Sequence, residues 1–244
     1  MSGLKRLYPA CKRHLDTTKL YYDNWVKVTP RRRAFPFTLD LIRGVAALAL
    51  IDGQPRLAGA FFVCFAGLLR VAEIMHLKRG DVKFLNPRVV VLLLPESKGA
   101  KRKGQTESVM IRDPTLVNIL GFCVKTCGSD GLVFGGTYRG FAEALVEFAA
   151  FFGLKHPNLT PHGLRRGGAT WHFGRFLSYD KTQAHGRWAQ ARTAKLYIDE
   201  AMAESGVASL PAEGQAKFVE ANSIIAALIN QHFFLTVLLS PKVS

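Results

Sequence analysis

Apolar positions along this 244-residue chain follow two spacings. Most recur at helical intervals, in runs separated by glycine and proline, while one short stretch is continuous and β-branched. LDLIRGVAALALIDG predicts a helix that begins near Pro36 or Thr38 and is closed by Gly53. Pro55 opens a second, RLAGAFFVCFAGLLR, almost wholly apolar and so expected at the centre. RVAEIMHLKRG follows as a third, ended by Gly80. The pattern then changes. PRVVVLLLPESKG, bounded by Pro87 and Pro95, predicts a strand; ESVMIRD is its partner, DVKF a possible third, and basic GAKRKGQ the connection. Helical spacing returns in PTLVNILGFCVKTCG, in TYRGFAEALVEFAAFFG, and over residues 162–177 with Thr160 as a possible N-cap. Short helices are expected at 181–185 and 189–198. A breaker-rich SGVASLPAEG then precedes a helix from 215 to about 235. A further short helix is placed around residues 16–26, before TPRRRAFPF, which has the composition of a linker. The expectation is a mainly α protein with a small antiparallel β-sheet (α+β). Neither GxGxxG nor a GxxxxGK phosphate loop occurs, so a doubly wound nucleotide fold is excluded.

Three regions follow: a basic segment and linker at 1–35, a central domain at 36–205, and an extension with an apolar helix at 206–244. The stretch at 224–239, IIAALINQHFFLTVLL, is short for a membrane span and carries Asn230, Gln231 and His232. A helix buried against protein is expected, and no membrane partner.

Composition narrows the partners. Hydrophobic residues make up 48% of the chain, enough for a substantial core, and 33 Lys and Arg against 18 Asp and Glu leave a net charge of +15. Such an excess favours polyanions, nucleic acid before an anionic membrane surface. It concentrates in residues 1–40, 78–112 and 165–195, while the chain beyond Tyr197 is slightly acidic. Of the four cysteines, Cys64 sits in an apolar run as an expected buried thiol, and Cys123 and Cys127 lack a nearby histidine to complete a zinc set. No metal or other cofactor is expected. The cysteine pattern suits a reducing compartment, and the N-terminal MSGLKRLYPACKRH lacks the apolar core of a secretion signal.

Within the basic regions stands an ordered set: Arg70 in GLLRVAEIMHL, Lys98 in ESKGAKRKG, His162 and Arg165 in PHGLRRGGAT, then Trp188 and Tyr197 in GRWAQARTAKLY. A tyrosine hydroxyl, with a reference pKa near 10, is a poor nucleophile at neutral pH unless its charge is stabilised and its proton removed. Two arginines can clamp the non-bridging oxygens of a phosphodiester. His162 can handle a proton, Trp188 can donate its indole N–H, and Lys98 can protonate the leaving 5′ oxygen. Lys101, Arg102, Lys103, Arg166 and Arg187 are candidate DNA contacts, as are Arg31, Arg32 and Arg33. Taken singly each has a plainer role: Arg70 a surface cation, Trp188 a core ring, Tyr197 a helix-face aromatic. Glu73 is expected to orient Arg70 by an ion pair.

The set resembles the catalytic domain of the tyrosine recombinases, the phage-integrase-like family, over about residues 36–205. Arg70 in GLLRVAEIMHLKRGDV matches the first arginine box, Lys98 the hairpin lysine, PHGLRRGGAT the His-x-x-Arg box, and HGRWAQARTAKLY the last box with Tyr197 as nucleophile. The resemblance implies double-stranded DNA as partner and a 3′-phosphotyrosyl intermediate formed without metal. It also implies self-association on DNA, from dimer to tetramer, with no small-molecule substrate. The Gly-Arg-Trp form of the last box resembles eukaryotic mobile-element members and implies a nucleus; in a prokaryote the cytoplasm or nucleoid would be the site. Arg166 stands where many members carry a histidine, and residues 1–34 are few for the usual core-binding domain. Type IB topoisomerase-like nicking and closing, and a non-catalytic DNA-binding remnant, are the competing functions. The apolar C-terminal helix is expected to dock either on its own core or on a neighbouring subunit.

Overall fold

A computed structural model describes residues 12–28, 33–97, 99–100, 104–128 and 131–235. The chain divides into two compact units, residues 1–33 and 34–244. In the first, α1 (Lys12–Val28) exposes Tyr21, Trp25 and Val28 along one side. Arg33 is exposed; Arg31 and Arg32 lie outside the described residues.

The second unit is helical around a small sheet. Thr38 caps α2 (Leu39–Ile51) by accepting from the Leu41 amide, as the spacing predicts, and Gly53 turns the chain at φ +70°. Pro55 starts α3 (Pro55–Ala66), which is buried on nearly every side. The next helix is shorter than expected: α4 spans only Val71–Met75. The chain must leave the helix there because Lys78 bridges to Leu132 before a 3-10 turn at Arg79–Asp81 delivers it to the sheet.

β1 (Val82–Asn86), β2 (Val89–Leu94) and β3 (Glu107–Ile111) form an antiparallel sheet in that order. Val90 faces Phe84 on one side and Ile111 on the other. Val90, Leu92, Leu94, Val109 and Ile111 point into the core, so the alternation of a one-sided sheet is present. Asp113 caps α5 (Pro114–Lys125) and Thr137 caps α6 (Tyr138–Phe151).

Helix α7 (His162–Phe176) crosses the middle of the unit. Its entry differs from expectation: Pro161, not Thr160, occupies the N-cap position, and it makes no side-chain cap. Glycines allow α7 to pass close to its neighbours. A Cβ on Gly167 would lie 1.8 Å from the Phe37 carbonyl oxygen, and one on Gly168 would lie 2.0 Å from that of Phe65. This contact sets the helix against the segment before α2 and the end of α3, and so sets where its first turn points.

α8 (Tyr179–Gly186), α9 (Ala191–Tyr197), α10 (Glu200–Ala208) and α11 (Ala212–Ile229) complete the unit, followed by a π-helical turn at Asn230–Leu235. α10 falls partly in the stretch whose serines and glycine suggest a break. Gly206 is used there for packing, since a Cβ would meet the Phe35 ring at 1.9 Å. α11 lies on α2 of its own chain: Phe218, Ala221 and Ile225 are buried, and Asn222 donates to the Asp40 carbonyl at 3.2 Å. The described part of the expected C-terminal helix thus covers the core of its own chain, and residues 236–239 lie outside the described residues. Among the described residues, no helix is long and apolar enough to cross a membrane. Cys64 is a fully buried free thiol, its pKa raised by burial and by Glu73.

Gly167→Ala must displace backbone. It is expected to destabilise the protein by about 1–3 kcal/mol, lowering the thermal midpoint by about 2–4 °C per kcal/mol. An unchanged midpoint in a thermal melt would show that α7 does not depend on this close approach.

Candidate active site

Four elements bring the site together. Arg70 immediately precedes α4, His162 and Arg165 occupy the first turn of α7, Trp188 follows α8, and Tyr197 ends α9. The Tyr197 ring lies between those of His162 and Trp188, at centroid distances of 5.3 and 4.7 Å. The Arg165 guanidinium carbon stands 5.1 Å from the Trp188 ring and 5.9 Å from that of Tyr197. Leu68, Ala169 and Ala194 pack beneath the tryptophan.

Glu73 holds the cations in place. Its carboxylate accepts from Arg70 Nη1 at 2.6 Å, from the Arg70 amide at 2.8 Å and from Arg187 Nη2 at 2.9 Å, and Arg165 Nη1 lies 3.8 Å away. Arg165 is 1% exposed and also donates from Nη2 to the Gly186 carbonyl at 2.7 Å. Gly186 has no side chain because Trp188 folds over it, 2.2 Å from where a Cβ would be. Arg187 reaches the Leu68 carbonyl at 3.3 Å, and both residues hold left-handed backbone, at φ +58° and +48°. The chain around Tyr197 is tied to α7. The Thr170 hydroxyl lies 3.4 Å from the Tyr197 carbonyl and accepts from the Asp199 amide, while Arg166 pairs with Asp199 and donates to the Ala34 carbonyl.

Charge is not balanced in this cluster. Arg70, Arg165 and Arg187 surround one carboxylate, and Arg165 Nε and Nη1 and Trp188 Nε1 are buried without a hydrogen-bond acceptor. Three guanidinium groups against one carboxylate leave a local surplus of positive charge. Burial tends to raise the Glu73 pKa, but the Arg187 charge, the Arg70 amide and Arg165 outweigh it and hold the group below its ordinary value. Burial lowers Arg165 to about 10, with Arg70 and Arg187 adding to the shift, and leaves it cationic at neutral pH. His162 keeps an exposed edge; desolvation of its inner side, then Arg165, Arg70 and Arg166, lower its pKa and favour the neutral ring.

No protein-family model matches the sequence, and no curated protein does. Solved structures do match. The XerA recombinase superposes with a TM-score of 0.55 at 16% identity, over 83% of this chain and 77% of that one. A lambda integrase dimer bound to a COC′ core site gives 0.56 at 16%, over 70% and 49%. The XerH site-specific recombinase bound to palindromic difH substrate gives 0.53 at 19%, over 67% and 49%. The fold is that of the tyrosine recombinase catalytic domain. This chain spans about half the length of the XerH chains it matches.

On this recombinase fold, five of the six residues singled out for catalysis converge: Arg70, His162, Arg165, Trp188 and Tyr197. Lys98 lies outside the described residues, as do Lys101, Arg102 and Lys103. Arg166 is 3% exposed and the Arg187 side chain 7%, and the two pair with Asp199 and Glu73. The sequence marked them as cations in a basic run, and only the helix ends decide which way they face. Glu73 holds three arginines rather than the one expected. Thr170 and Asp199, which anchor the chain at Tyr197, carried no sequence signal of their own. A hollow of about 510 Å³ between α3, α5 and α6 contains none of these residues.

The depressed Glu73 pKa has a definite sign. The stabilisation is complete above the unfolded value near 4.5 and is lost as pH falls through the folded value. Glu73→Gln is therefore expected to flatten the pH dependence of unfolding free energy below about pH 4.5, measured by urea titration. Parallel acid limbs in parent and variant would contradict the assignment.

Proposed function

We propose that this chain breaks and rejoins DNA strands as a tyrosine recombinase, with Tyr197 as the nucleophile. The observation that carries the reading is the convergence of His162, Arg165 and Trp188 on the Tyr197 ring, beside a cluster in which three guanidinium groups share one carboxylate. A scissile phosphodiester meets this surplus of positive charge. Arg70 and Arg165 take its non-bridging oxygens, where negative charge grows in the transition state, and the Trp188 N–H adds a further donor.

In the proposed step, the Tyr197 oxygen attacks phosphorus and its proton passes to neutral His162. The bond from phosphorus to the 5′ oxygen breaks, and Lys98, assigned from its place in the sequence, protonates that oxygen. A 3′-phosphotyrosyl link and a 5′-hydroxyl result. Attack by the 5′-hydroxyl of another strand reverses the step and releases Tyr197. Bond energy is retained in the phosphotyrosine, so the step needs no nucleotide, and the guanidinium groups meet the charge that a metal would otherwise meet. Support for DNA as the partner comes from the +15 net charge and from structural neighbours that are themselves DNA complexes.

A nicked suicide duplex tests the reading, because loss of the short strand traps the covalent intermediate. The parent is expected to form a denaturation-resistant adduct and Tyr197→Phe none. An adduct formed equally by that variant would remove Tyr197 from the nucleophile's place. Arg165→Ala is expected to lower the rate of adduct formation by at least about 100-fold, and a near-parental rate in single-turnover kinetics would contradict its role. Relaxation of supercoiled DNA by a monomer, without recombinant product, would instead indicate topoisomerase-like action.

A further inference from the structure

A groove of about 870 Å³ runs between the outer edge of β3 and the ends of α7 and α8. Among the described strands β3 pairs only with β2, so this side of it is open. Across from it stand Trp171, Arg175 and Phe176 from α7 and Lys181 from α8, with Arg112 at the end of the strand. A second depression, of about 470 Å³, shares Ser108 and Ala184 with the groove and is lined at its other end by Arg187 and Trp188. The two together make one furrow leading from the edge of the candidate site.

Rings and cations alternate along the outer part of this furrow. The Arg175 guanidinium lies 5.7 Å from the Trp171 ring and 5.5 Å from the Phe176 ring, and the Lys181 ammonium lies 5.5 Å from Phe176. Phe176 is 43% exposed. Among the described residues, Arg112, Arg175 and Lys181 have no carboxylate partner. The nearby acids are Asp113, which caps α5, Asp180 in the first turn of α8, and Glu107, which accepts from the Ser97 hydroxyl. His172 and His185 stack in the wall at 4.6 Å, and burial lowers both pKa values, so the cations of the groove are the arginines and the lysine.

Aromatic faces offered between cations fit a polyanion whose bases are unpaired. Bases stack on the rings while the cations track the backbone. A duplex turns its base faces inward and cannot use the rings. We propose that the furrow binds single-stranded DNA, receiving the strand that ends in the 5′-hydroxyl released beside Tyr197. This rests on the strand-breaking reading above. α8, eight residues and about 12 Å long, gives room for about three stacked nucleotides. Holding that end would keep it from religating at once and leave it available for transfer.

The experiment is fluorescence anisotropy of the full chain with a labelled eight-nucleotide oligothymidylate and, separately, a labelled duplex. The triple variant Arg175→Ala, Phe176→Ala, Lys181→Ala alters exposed side chains only. It is expected to bind the single strand at least tenfold more weakly, with the slope of log affinity against log salt reduced by about 1.4 for two cations lost. Duplex affinity is expected to change less than threefold. Unchanged single-strand affinity, or equal loss on both ligands, would overturn the proposal. So would displacement of the oligonucleotide by an apolar peptide but not by unlabelled single strand. Failure of the parent to form the covalent adduct, with the groove variants still selectively impaired, would overturn the catalytic reading and leave the groove assignment standing.

Discussion

One buried carboxylate underlies the site. Glu73 is 6% exposed and accepts from Arg70 and Arg187 while lying within 3.8 Å of Arg165. Ion pairs withdrawn from water carry a large desolvation cost, and removing one partner leaves the others uncompensated. Three guanidinium groups around one carboxylate would be unfavourable in a finished, closed core. Here the imbalance borders an exposed histidine and a half-buried tyrosine. The arrangement is therefore better complemented when an anion is bound than when none is.

The carboxylate can serve this purpose because the backbone places it. α4 is only one turn long, so Glu73 folds back on the amide of Arg70 and its side chain meets the end of α8. α7 brings Arg165 to the same point, and it lies there because Gly167 and Gly168 let it approach carbonyls on two neighbouring segments. The small residues after the histidine–arginine pair thus connect directly to chemistry: they set the distance at which Arg165 can touch both Glu73 and Gly186. On the other side, Thr170 and Asp199 hold the backbone at Tyr197. Tyrosine and arginine are consequently referred to one helix.

Much of this was legible in the residues themselves. Caps and breakers placed α2, α3 and α5, the β-branched run placed β2, and the ordered cations and rings identified five side chains that meet in space. The errors have separable causes. Gly206 resembles a helix breaker but serves close packing against Phe35, so α10 runs into a stretch whose composition suggests a break. RVAEIMHLKRG has helical spacing throughout, yet its bridge to Leu132 ends the helix at Met75. Arg166 and Arg187 count equally with any other cation in a charge profile. Burial and pairing, which depend on tertiary structure, tie both into the frame around Asp199 and Glu73. The α11 helix carried an apolar face in sequence, and only the position of α2 decided what covered it.

The central claim is that Arg165 neutralises charge on the scissile phosphate. Replacing a non-bridging oxygen of that phosphate by a methyl group removes the charge the arginine is there to meet. Single-turnover adduct formation by Arg165→Ala, in a preparation whose circular dichroism matches the parent, tests the claim most directly. The expected result is that the variant reacts at least tenfold faster with the methylphosphonate than with the ordinary phosphate, while Tyr197→Phe gains nothing. Equal inactivity of Arg165→Ala on both substrates would contradict the account.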